Sequence, residues 1–413
     1  MPFVRRWRSD PLPGARSLRA LSVLVCLGVA CADEPAADSE GSDGTGASTD
    51  GGDAADTMVL DASTGAVSTP GTDDGDSSDE GNDETAEPPP ADPDPVFVAL
   101  ADGGFTATSC DGGRTWTTQT QSGKQGDHTP WTAFGGLAFG HDVFVAGFGW
   151  GAPGHLLVSA DGLTWQDLPA AHFTVDGKVV GYDTFTSAVA FDGDELLAFG
   201  SMLWRSGTGE DWEGEPLSLP PGSDQVRQLR AFPGGVVVAA LENQQDPSVG
   251  NFAAVSQDGG LQWTVGTGYS SSCSHAIQHW GDIELRDGVI LVGNGDVCRS
   301  TDMGSTWEAM SEPLGPGDLQ DLFVDETGFG AVLGSRIFHS DDGTAWSEVA
   351  DLGVPLARAA YADGAFAAVS ATATEYFWST DGVRWQAGET TEPIRESAWV
   401  RDFTVGFPSA GCD

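Results

Sequence analysis

Seven short segments combine a serine, an acidic residue in a glycine-rich turn and a tryptophan, and their carboxylates are the first side chains to consider for chemistry. The first copy reads Ser-Cys-Asp-Gly-Gly-Arg-Thr-Trp. A single copy would suggest an acidic site, but a sevenfold repeat indicates a structural turn. We call these segments the box turns: Ser109–Trp116, Ser159–Trp165, Ser206–Trp212, Ser256–Trp263, Ser300–Trp307, Ser340–Trp346 and Ser379–Trp385.

The residue types of the box turns explain this structural interpretation. An aspartate in a tight turn accepts hydrogen bonds from its own backbone amides, and glycines such as Gly113 supply the unusual dihedral angles. The tryptophan buries a large ring against the neighbouring sheet. The third copy has Thr208 in place of the acid, so we expect its turn to be the least secure. The predicted structural residues are Asp111, Asp161, Asp258, Asp302, Asp342 and Asp381, with Trp116, Trp165, Trp212, Trp263, Trp307, Trp346 and Trp385.

The spacing of the box turns indicates a repeat fold. Their starts are 50, 47, 50, 44, 40 and 39 residues apart, which fits about four strands per unit. In the second unit, apolar residues 134–139 precede a Gly-His-Asp turn, a β-rich run over 143–148 and a short strand over 156–159. No stretch has sustained helical periodicity. Seven such units predict an all-β, seven-bladed propeller of four-stranded blades over residues 96–413.

The box turns resemble the Asp-box, or bacterial neuraminidase (BNR), repeat. This repeat occurs in sialidases, sortilin-type receptors, xyloglucan-active hydrolases and photosystem assembly factors. The resemblance implies that the box is a scaffold turn remote from the ligand face. The first unit lacks an innermost strand, and residues 397–405 have strand character after the seventh box. We therefore expect this C-terminal strand to complete the first blade and close the ring, which removes free sheet edges.

The N-terminal 30 residues have the pattern of a signal peptide. Five arginines precede the apolar run 20–30, which is too short to span a bilayer. The run ends Leu-Gly-Val-Ala-Cys, which resembles a bacterial lipobox with Cys31 as the lipidated residue. The alternative is an ordinary signal peptide. We expect an exported lipoprotein of the bacterial outer membrane or cell surface, or otherwise a periplasmic or secreted protein, with the lipid as its one membrane contact.

Residues 31–95 are predicted to form a disordered tether. Positions 32–95 contain 19 acidic residues and no lysine or arginine, so they cannot bury enough apolar surface to fold. Residues 96–413 carry 42 acidic against 13 basic residues. Nucleic acid is therefore an unfavourable partner, because phosphate binding needs clustered cations. We expect a monomer that binds a protein or a glycan.

Four cysteines remain in the predicted propeller, where an exported domain can keep disulfides. Four cysteines allow three pairings. The expected topology places Cys412 on the same side as Cys110, and a bridge between them would lock the ring. Cys273 and Cys298 both lie toward the opposite face of the fifth blade, so we favour Cys110–Cys412 and Cys273–Cys298.

Two histidines beside Cys273 raise the question of a metal site. His275 and His279 are spaced so that both imidazoles could lie on one side of an extended segment, with Asp282 or Glu284 as a third zinc ligand. Two ordinary histidines in a surface loop are the preferred interpretation. We expect neither a metal nor a cofactor.

The sequence favours a binding module over an enzyme. The chain has only four tyrosines, and the 13 basic residues of the predicted propeller are scattered singly, so the sialidase signature is missing. A sialidase-like or xyloglucanase-like glycoside hydrolase with an unrecognised carboxylate pair stays the alternative. The expected binding surface is the face opposite the box turns, although its aromatic residues could equally serve blade packing. The candidate ligand-binding residues are Trp150, Phe173, Tyr182, Asn243, Gln244 and Tyr269.

Overall fold

The computed structural model of the chain describes residues 94–120, 136–148, 154–181, 188–223, 225–242, 252–267, 273, 282–294, 296–310, 319–391 and 399–412. These residues lie in one compact unit, Ala86–Asp413. The predicted signal peptide, Cys31 and nearly all of the predicted tether lie outside the described residues and stay predictions. No helix among the described residues is long and apolar enough to cross a membrane.

The described residues form seven sheets, one for each box turn, as predicted. Within each sheet the consecutive strands pair antiparallel. The innermost strand of each sheet contacts the innermost strands of the two neighbouring sheets, and these contacts make a closed ring. The fold is therefore a seven-bladed β-propeller, and we number the blades by their box turns.

The strands of each blade are given in their order from the ring centre outward. Blade 1 consists of Val400–Gly406, Val96–Ala101, Phe105–Ser109 and Thr115–Thr120, with the short strand Glu389–Thr390 paired at its outer edge. Blade 2 consists of Leu137–Gly140, Val143–Phe148, His155–Ser159 and Gln166–Asp167. Blade 3 begins with Ala188–Phe191, Leu196–Phe199, Met202–Ser206 and Trp212–Pro216. Blades 4 and 5 consist of Gln225–Phe232, Val236–Glu242, Phe252–Ser256 and Thr264–Val265, then Asp282–Arg286, Val289–Asn294, Asp296–Ser300 and Glu308–Ala309. Blades 6 and 7 consist of Leu319–Val324, Phe329–Leu333, Arg336–Ser340 and Ser347–Asp351, then Leu356–Ala362, Ala365–Ser370, Tyr376–Ser379 and Gln386–Ala387.

The C-terminal strand closes the ring, which confirms the prediction. It spans Val400–Gly406 and pairs antiparallel with Val96–Ala101, so that Phe97 lies opposite Val405. An ion pair reinforces this closure, because the Arg401 guanidinium donates to both carboxylate oxygens of Asp102 at 2.9 and 2.6 Å. The first blade is thus built from both ends of the propeller sequence.

In each aspartate-containing box turn the serine hydroxyl donates to the aspartate, which also accepts backbone amides of the turn. In the second copy, Ser159 donates to Asp161 at 2.9 Å, and the same oxygen accepts the Leu163 and Thr164 amides at 2.8 and 2.6 Å. The Trp165 indole donates to the Gly162 carbonyl at 3.0 Å. Burial alone would raise the pKa of Asp161, but these hydrogen bonds outweigh it and lower the pKa. The carboxylate is therefore committed to the turn.

The third box turn has the same shape although Thr208 replaces the acid. The Thr208 hydroxyl oxygen accepts the amides of Glu210 and Asp211 at 3.2 and 3.4 Å. These bonds are longer than those of Asp161 and lack a charged acceptor, so we expect them to be weaker. This turn still places Trp212 so that its indole donates to Gly209 at 3.0 Å.

The apolar core is divided into clusters between neighbouring blades. Each cluster combines side chains from two adjacent sheets, and every pair of neighbouring blades shares one. Between blades 7 and 1, for example, the Trp116 ring stacks on Tyr376 with centroids 4.5 Å apart. Because each sheet face is covered only by the next blade, no blade completes its core alone.

Three box tryptophans are covered by the chain segment that arrives from the preceding blade. Phe173 pairs in parallel with Trp212 in the outer strand of blade 3, and Thr390 pairs in the same way with Trp116 in blade 1. In blade 5, Thr267 pairs in parallel with Thr306, the residue before Trp307. Trp116, Trp212 and Trp307 are at most 5% exposed, whereas the other four box tryptophans are only partly buried.

Glycines permit this close approach in two of the three segments. A Cβ at residue 388 would lie 2.8 Å from the Gly113 carbonyl, and a Cβ at residue 266 would lie 2.2 Å from the Gly304 carbonyl. The linkers are therefore part of the core.

Blade 3 differs from the predicted four strands. Between blades 2 and 3 the chain makes a 3-10 turn at Ala170–His172 and a hairpin of Phe173–Val175 and Lys178–Val179. The hairpin joins the outer edge of the blade, giving a six-stranded sheet. The Phe173 side chain causes this addition, because it packs into the core against Trp204 with ring centroids 5.4 Å apart.

Both predicted cysteine pairs have disulfide geometry. The Cα atoms of Cys110 and Cys412 are 5.9 Å apart, and those of Cys273 and Cys298 are 5.7 Å apart, within the usual range for a disulfide. The first pair spans 302 residues and joins the box turn of blade 1 to the chain end, whereas the second spans 25 residues.

Restoring an acid to the third box turn should stabilise the propeller. We expect T208D to raise the free energy of unfolding by about 1 kcal/mol, because a charged acceptor binds the two amides more strongly than a hydroxyl. T208V, which has no acceptor, should lower it by about 1 kcal/mol. Denaturant titration measures both changes, and equal stability of the two variants would show that the acceptor at this position does not matter.

The long-range cysteine pair should contribute more stability than the short-range pair. The chain-entropy model gives about 2 kcal/mol more for the longer loop. We therefore expect the double variant C110S/C412S to lose more stability than C273S/C298S. Peptide mapping without reduction tests the pairing itself, and a peptide linking Cys110 to Cys273 would contradict ring closure by a disulfide.

Candidate functional site

Phe173 is the one predicted ligand-binding residue that the described part of the chain contains. Its side chain is 0% exposed and packs against Trp204 and Trp212. The prediction that Phe173 offers a stacking surface is therefore wrong, and the alternative of blade packing holds for it. The remaining candidates lie outside the described residues: Trp150, Tyr182, Asn243, Gln244 and Tyr269.

An arginine crosses the centre of the ring. Arg230 on the innermost strand of blade 4 binds both oxygens of Asp402 on blade 1, at 2.9 and 3.1 Å. Its Nε atom also lies 3.3 Å from Asp282 on blade 5. Asp282 and Asp402 are at most 4% exposed, so this is a buried ion cluster. It links three blades that are not all neighbours.

The aspartates of this axial cluster also bind the backbone of the next blade. Asp402 accepts the Leu137 amide at 2.7 Å, and Asp282 accepts the Leu322 amide at 3.1 Å. Asp321, on blade 6, accepts the Ala359 amide of blade 7 at 2.7 Å. Each carboxylate therefore links, by a hydrogen bond, the innermost strand of its own blade to the innermost strand of the next blade.

The ionisation of the cluster follows from burial and from its charges. Burial alone would lower the pKa of Arg230, but Asp402 and Asp282 outweigh it and raise that pKa. Burial acts to raise the pKa of Asp282, yet Arg230 brings it down to about 2. Burial and the Asp282 charge together raise the pKa of both Glu284 and Asp321 well above their ordinary values. The cluster thereby limits the negative charge around two guanidiniums, because Arg358 Nε lies 3.5 Å from Asp321.

Glu284 faces a central cavity of about 280 Å³. A protonated carboxylic acid in a cavity is the type of group that serves as a general acid. A glycosidase needs a second carboxylate that is free to act as nucleophile or base. The neighbouring Asp282 is instead bound by Arg230 and by the amides of Ile283 and Leu322. Asp282 and Glu284, considered as zinc ligands in the sequence, thus belong to the axial cluster.

A second cavity, of about 360 Å³, lies between blades 6 and 7 on the face that carries the box turns. We call it the 6–7 pocket. Its size falls within the range of ligand pockets, which combine apolar walls with a few polar groups. The apolar lining includes Phe323, Ile337, Val349, Tyr361, Phe366 and Val383. The polar lining includes Asp325, Glu326, Thr327, His339, Thr380 and Asp381.

One wall of the 6–7 pocket is a braced turn between the first two strands of blade 6. Asp325 accepts the amides of Thr327 and Gly328 at 2.6 and 2.8 Å. Arg286 of blade 5 donates to the Asp325 carbonyl, to the Glu326 carbonyl at 2.7 Å and to the Gly328 carbonyl at 3.3 Å. The backbone beneath the Glu326 side chain is therefore held from both sides.

A threonine, a histidine and two aspartates lie next to each other in this wall. The Thr327 hydroxyl lies 2.9 Å from His339 Nε2 and donates to Asp325 at 2.7 Å. His339 Nδ1 lies 3.7 Å from Asp341. In the arrangement in which the hydroxyl donates to Asp325, His339 Nε2 is the donor to the Thr327 oxygen.

The opposite wall comes from blade 7. Tyr361 and Phe366 have ring centroids 4.6 Å apart, and Val383 in the seventh box turn is 54% exposed at the lip. Burial, followed by the nearby Glu326 carboxylate, raises the pKa of Tyr361. The Tyr361 hydroxyl oxygen accepts the Gly364 amide at 3.0 Å.

This pocket lies on the face opposite the one on which the sequence led us to expect a ligand. One local signal was present, since the turn Asp325–Gly328 of blade 6 is longer than the Asp-Gly turns at Asp287–Gly288 and Asp363–Gly364. Among the described residues, no group of three or more His, Cys, Asp or Glu side chains is arranged to hold a metal ion. His275 and His279 lie outside those residues.

Removing the ionisable proton of Glu284 should change how stability depends on pH. The raised pKa means that the folded protein keeps a proton which the unfolded chain loses, so stability falls as pH rises above about 4.5. We expect the Tm of E284Q to equal that of the wild type near that pH and to exceed it increasingly toward pH 8. Each kcal/mol of recovered stability corresponds to about 2–4 °C in Tm.

Thermal unfolding from pH 4 to 9 measures this difference, with E210Q at an exposed position as the control. Parallel Tm curves for E284Q and the wild type would contradict a raised pKa at Glu284.

Comparisons with known proteins relate the chain to solved structures only. No family model matches the chain, and no curated protein matches it. The structure of YCF48 bound to D1 peptide shares 16% identity, with a TM-score of 0.45 over 68% of this chain and 96% of that chain. YCF48 from Cyanidioschyzon merolae shares 14% identity, with a TM-score of 0.45 over 67% and 95% of the two chains.

A chain of the nidogen/laminin complex shares 11% identity, with a TM-score of 0.39 over 75% of this chain and 98% of that chain. These values express a likeness in fold, and the ligands of those proteins are not transferred to this one.

Proposed function

We propose that this chain is a non-catalytic binding module that captures a protein ligand in the 6–7 pocket. The proposal includes the predicted signal peptide of residues 1–30, a lipid at Cys31 and the acidic tether of residues 31–95, which together would hold the propeller at a bacterial surface. It also assigns the box turns to the Asp-box repeat family, on the shared serine, aspartate and tryptophan bonding pattern.

The amphipathic lining of the 6–7 pocket is the observation that carries this proposal. Its apolar walls are already formed, since Phe323 and Phe366 are at most 8% exposed and Val383 extends them to the surface. Side chains from two blades and a braced turn meet there, so little ordering is required when a ligand binds. Pre-organised apolar pockets with a polar rim are the usual centres of protein interfaces.

A protein ligand fits this lining better than a glycan. Sugar sites need many polar groups that can pair with hydroxyls, whereas the floor of this pocket is aliphatic and aromatic. The glycoside hydrolase alternative finds less support, because Asp282 beside Glu284 is engaged by Arg230 and by backbone amides. The acidic surface of the propeller further favours a basic partner, through attraction over long range.

Filling the lip of the pocket should abolish binding. We expect peptides selected from a displayed random library on the purified full chain to bind V383R at least tenfold more weakly, a loss of about 1.4 kcal/mol. The long side chain would occupy the pocket from its rim. V180R is the matched control, because Val180 is also 54% exposed but lies in blade 3.

Interferometry on the immobilised full chain measures these affinities. Equal losses in both variants would show that the pocket is not the binding site. A glycan array and a panel of chromogenic glycosides complete the test, and turnover that a single Asp or Glu substitution removes would overturn the non-catalytic assignment.

A further inference from the structure

We propose that the occupant of the 6–7 pocket is an arginine side chain presented by the protein ligand. This inference rests on the proposed function and adds the chemistry of the bound group. It follows from three properties of the pocket: an apolar lip, an excess of carboxylates and a pair of aromatic rings in the same lining.

The apolar lip suits the aliphatic part of a long cationic side chain. Val383 is 54% exposed, and Phe366 lies beneath it at 8% exposure. Arginine and lysine bury their methylene groups along such surfaces and keep the charged end near polar groups. A purely apolar side chain would fill the same space but would leave the adjacent carboxylates without a partner.

The charges of the pocket favour a cation. Asp325, Glu326 and Asp381 line it, and Arg384 neutralises Asp381 through a 2.7 Å ion pair. His339 lies 3.6 Å from Asp325 and offers a positive charge only when it is protonated. Hydrogen bonds to its turn, acting against burial, lower the pKa of Asp325, so that this group stays ionised at acidic pH. Glu326 therefore has the least compensated charge in the wall.

Glu326 is placed to receive a guanidinium. Its backbone carbonyl accepts a hydrogen bond from Arg286 at 2.7 Å, and its exposed side chain lines the pocket. A carboxylate has about four acceptor positions, so it can accept two parallel hydrogen bonds from one partner.

The ring pair of Tyr361 and Phe366 distinguishes arginine from lysine. A planar guanidinium stacks on aromatic faces and binds a carboxylate through two parallel hydrogen bonds, whereas an ammonium is a strongly hydrated point charge. Because the rings and the Glu326 carboxylate lie within one pocket, a single guanidinium could use both contacts.

The test compares three fluorescein-labelled pentapeptides, Gly-Ser-X-Ser-Gly, in which X is arginine, citrulline or norleucine. Citrulline keeps the shape of arginine without its charge, and norleucine keeps only the apolar stem. We expect the full chain to bind the arginine peptide at least tenfold more tightly than either other peptide, as measured by fluorescence anisotropy. Raising the salt concentration should weaken only the arginine peptide.

Two variants locate the contact. E326Q should reduce affinity for the arginine peptide about five- to tenfold and leave the norleucine peptide unchanged, whereas E210Q should change neither. No saturable binding of the arginine peptide, equal binding of the citrulline peptide or equal loss in E210Q would each overturn the inference. Selected peptides that lack arginine yet lose affinity in V383R would uphold the proposed function while refuting this refinement.

Discussion

The pairing of the last strand with the first blade is the constraint on which the propeller depends. Val400–Gly406 supplies the innermost strand that Val96–Ala101 would otherwise lack. Each blade buries its faces only against its neighbours, so an open ring would leave two apolar sheet faces uncovered. Exposed sheet faces and edges invite non-native association. The Arg401–Asp102 ion pair and the contact of Cys110 with Cys412 lie at this same junction.

The ring is tied at its centre and at its rim by different interactions. At the centre, buried aspartates bind the amides of the following blade, and Arg230 connects blades across the axis. At the rim, linker segments cover the box tryptophans of blades 1, 3 and 5. The central ties are polar and sensitive to protonation, whereas the rim ties bury aromatic surface. In these three blades the box turn contributes the local geometry that places the tryptophan against the linker segment.

The sequence was sufficient to predict the parts of the fold that depend on local pattern. The repeated turn determines blade number, and the strand character of residues near 400 led to ring closure. The axial cluster could not be predicted, because Arg230 and Asp402 are 172 residues apart and meet only when the ring closes. Phe173 was misassigned because its aromatic type does not reveal that its hairpin joins the next sheet.

The 6–7 pocket escaped prediction for a related reason. It takes one wall from the turn of blade 6 and the other from the box turn of blade 7. Each segment looks like an ordinary turn by itself, and the resemblance to Asp-box repeats directs attention to the opposite face. Only the orientation of adjacent blades shows that Glu326 and Val383 border the same space.

Both ends of the propeller emerge on one face. Val96 lies opposite Gly406, next to the end of the strand that leads into the first box turn, and Cys412 contacts that turn. Any group joined to the propeller before residue 94 or after residue 412 would therefore start from the face on which the 6–7 pocket opens.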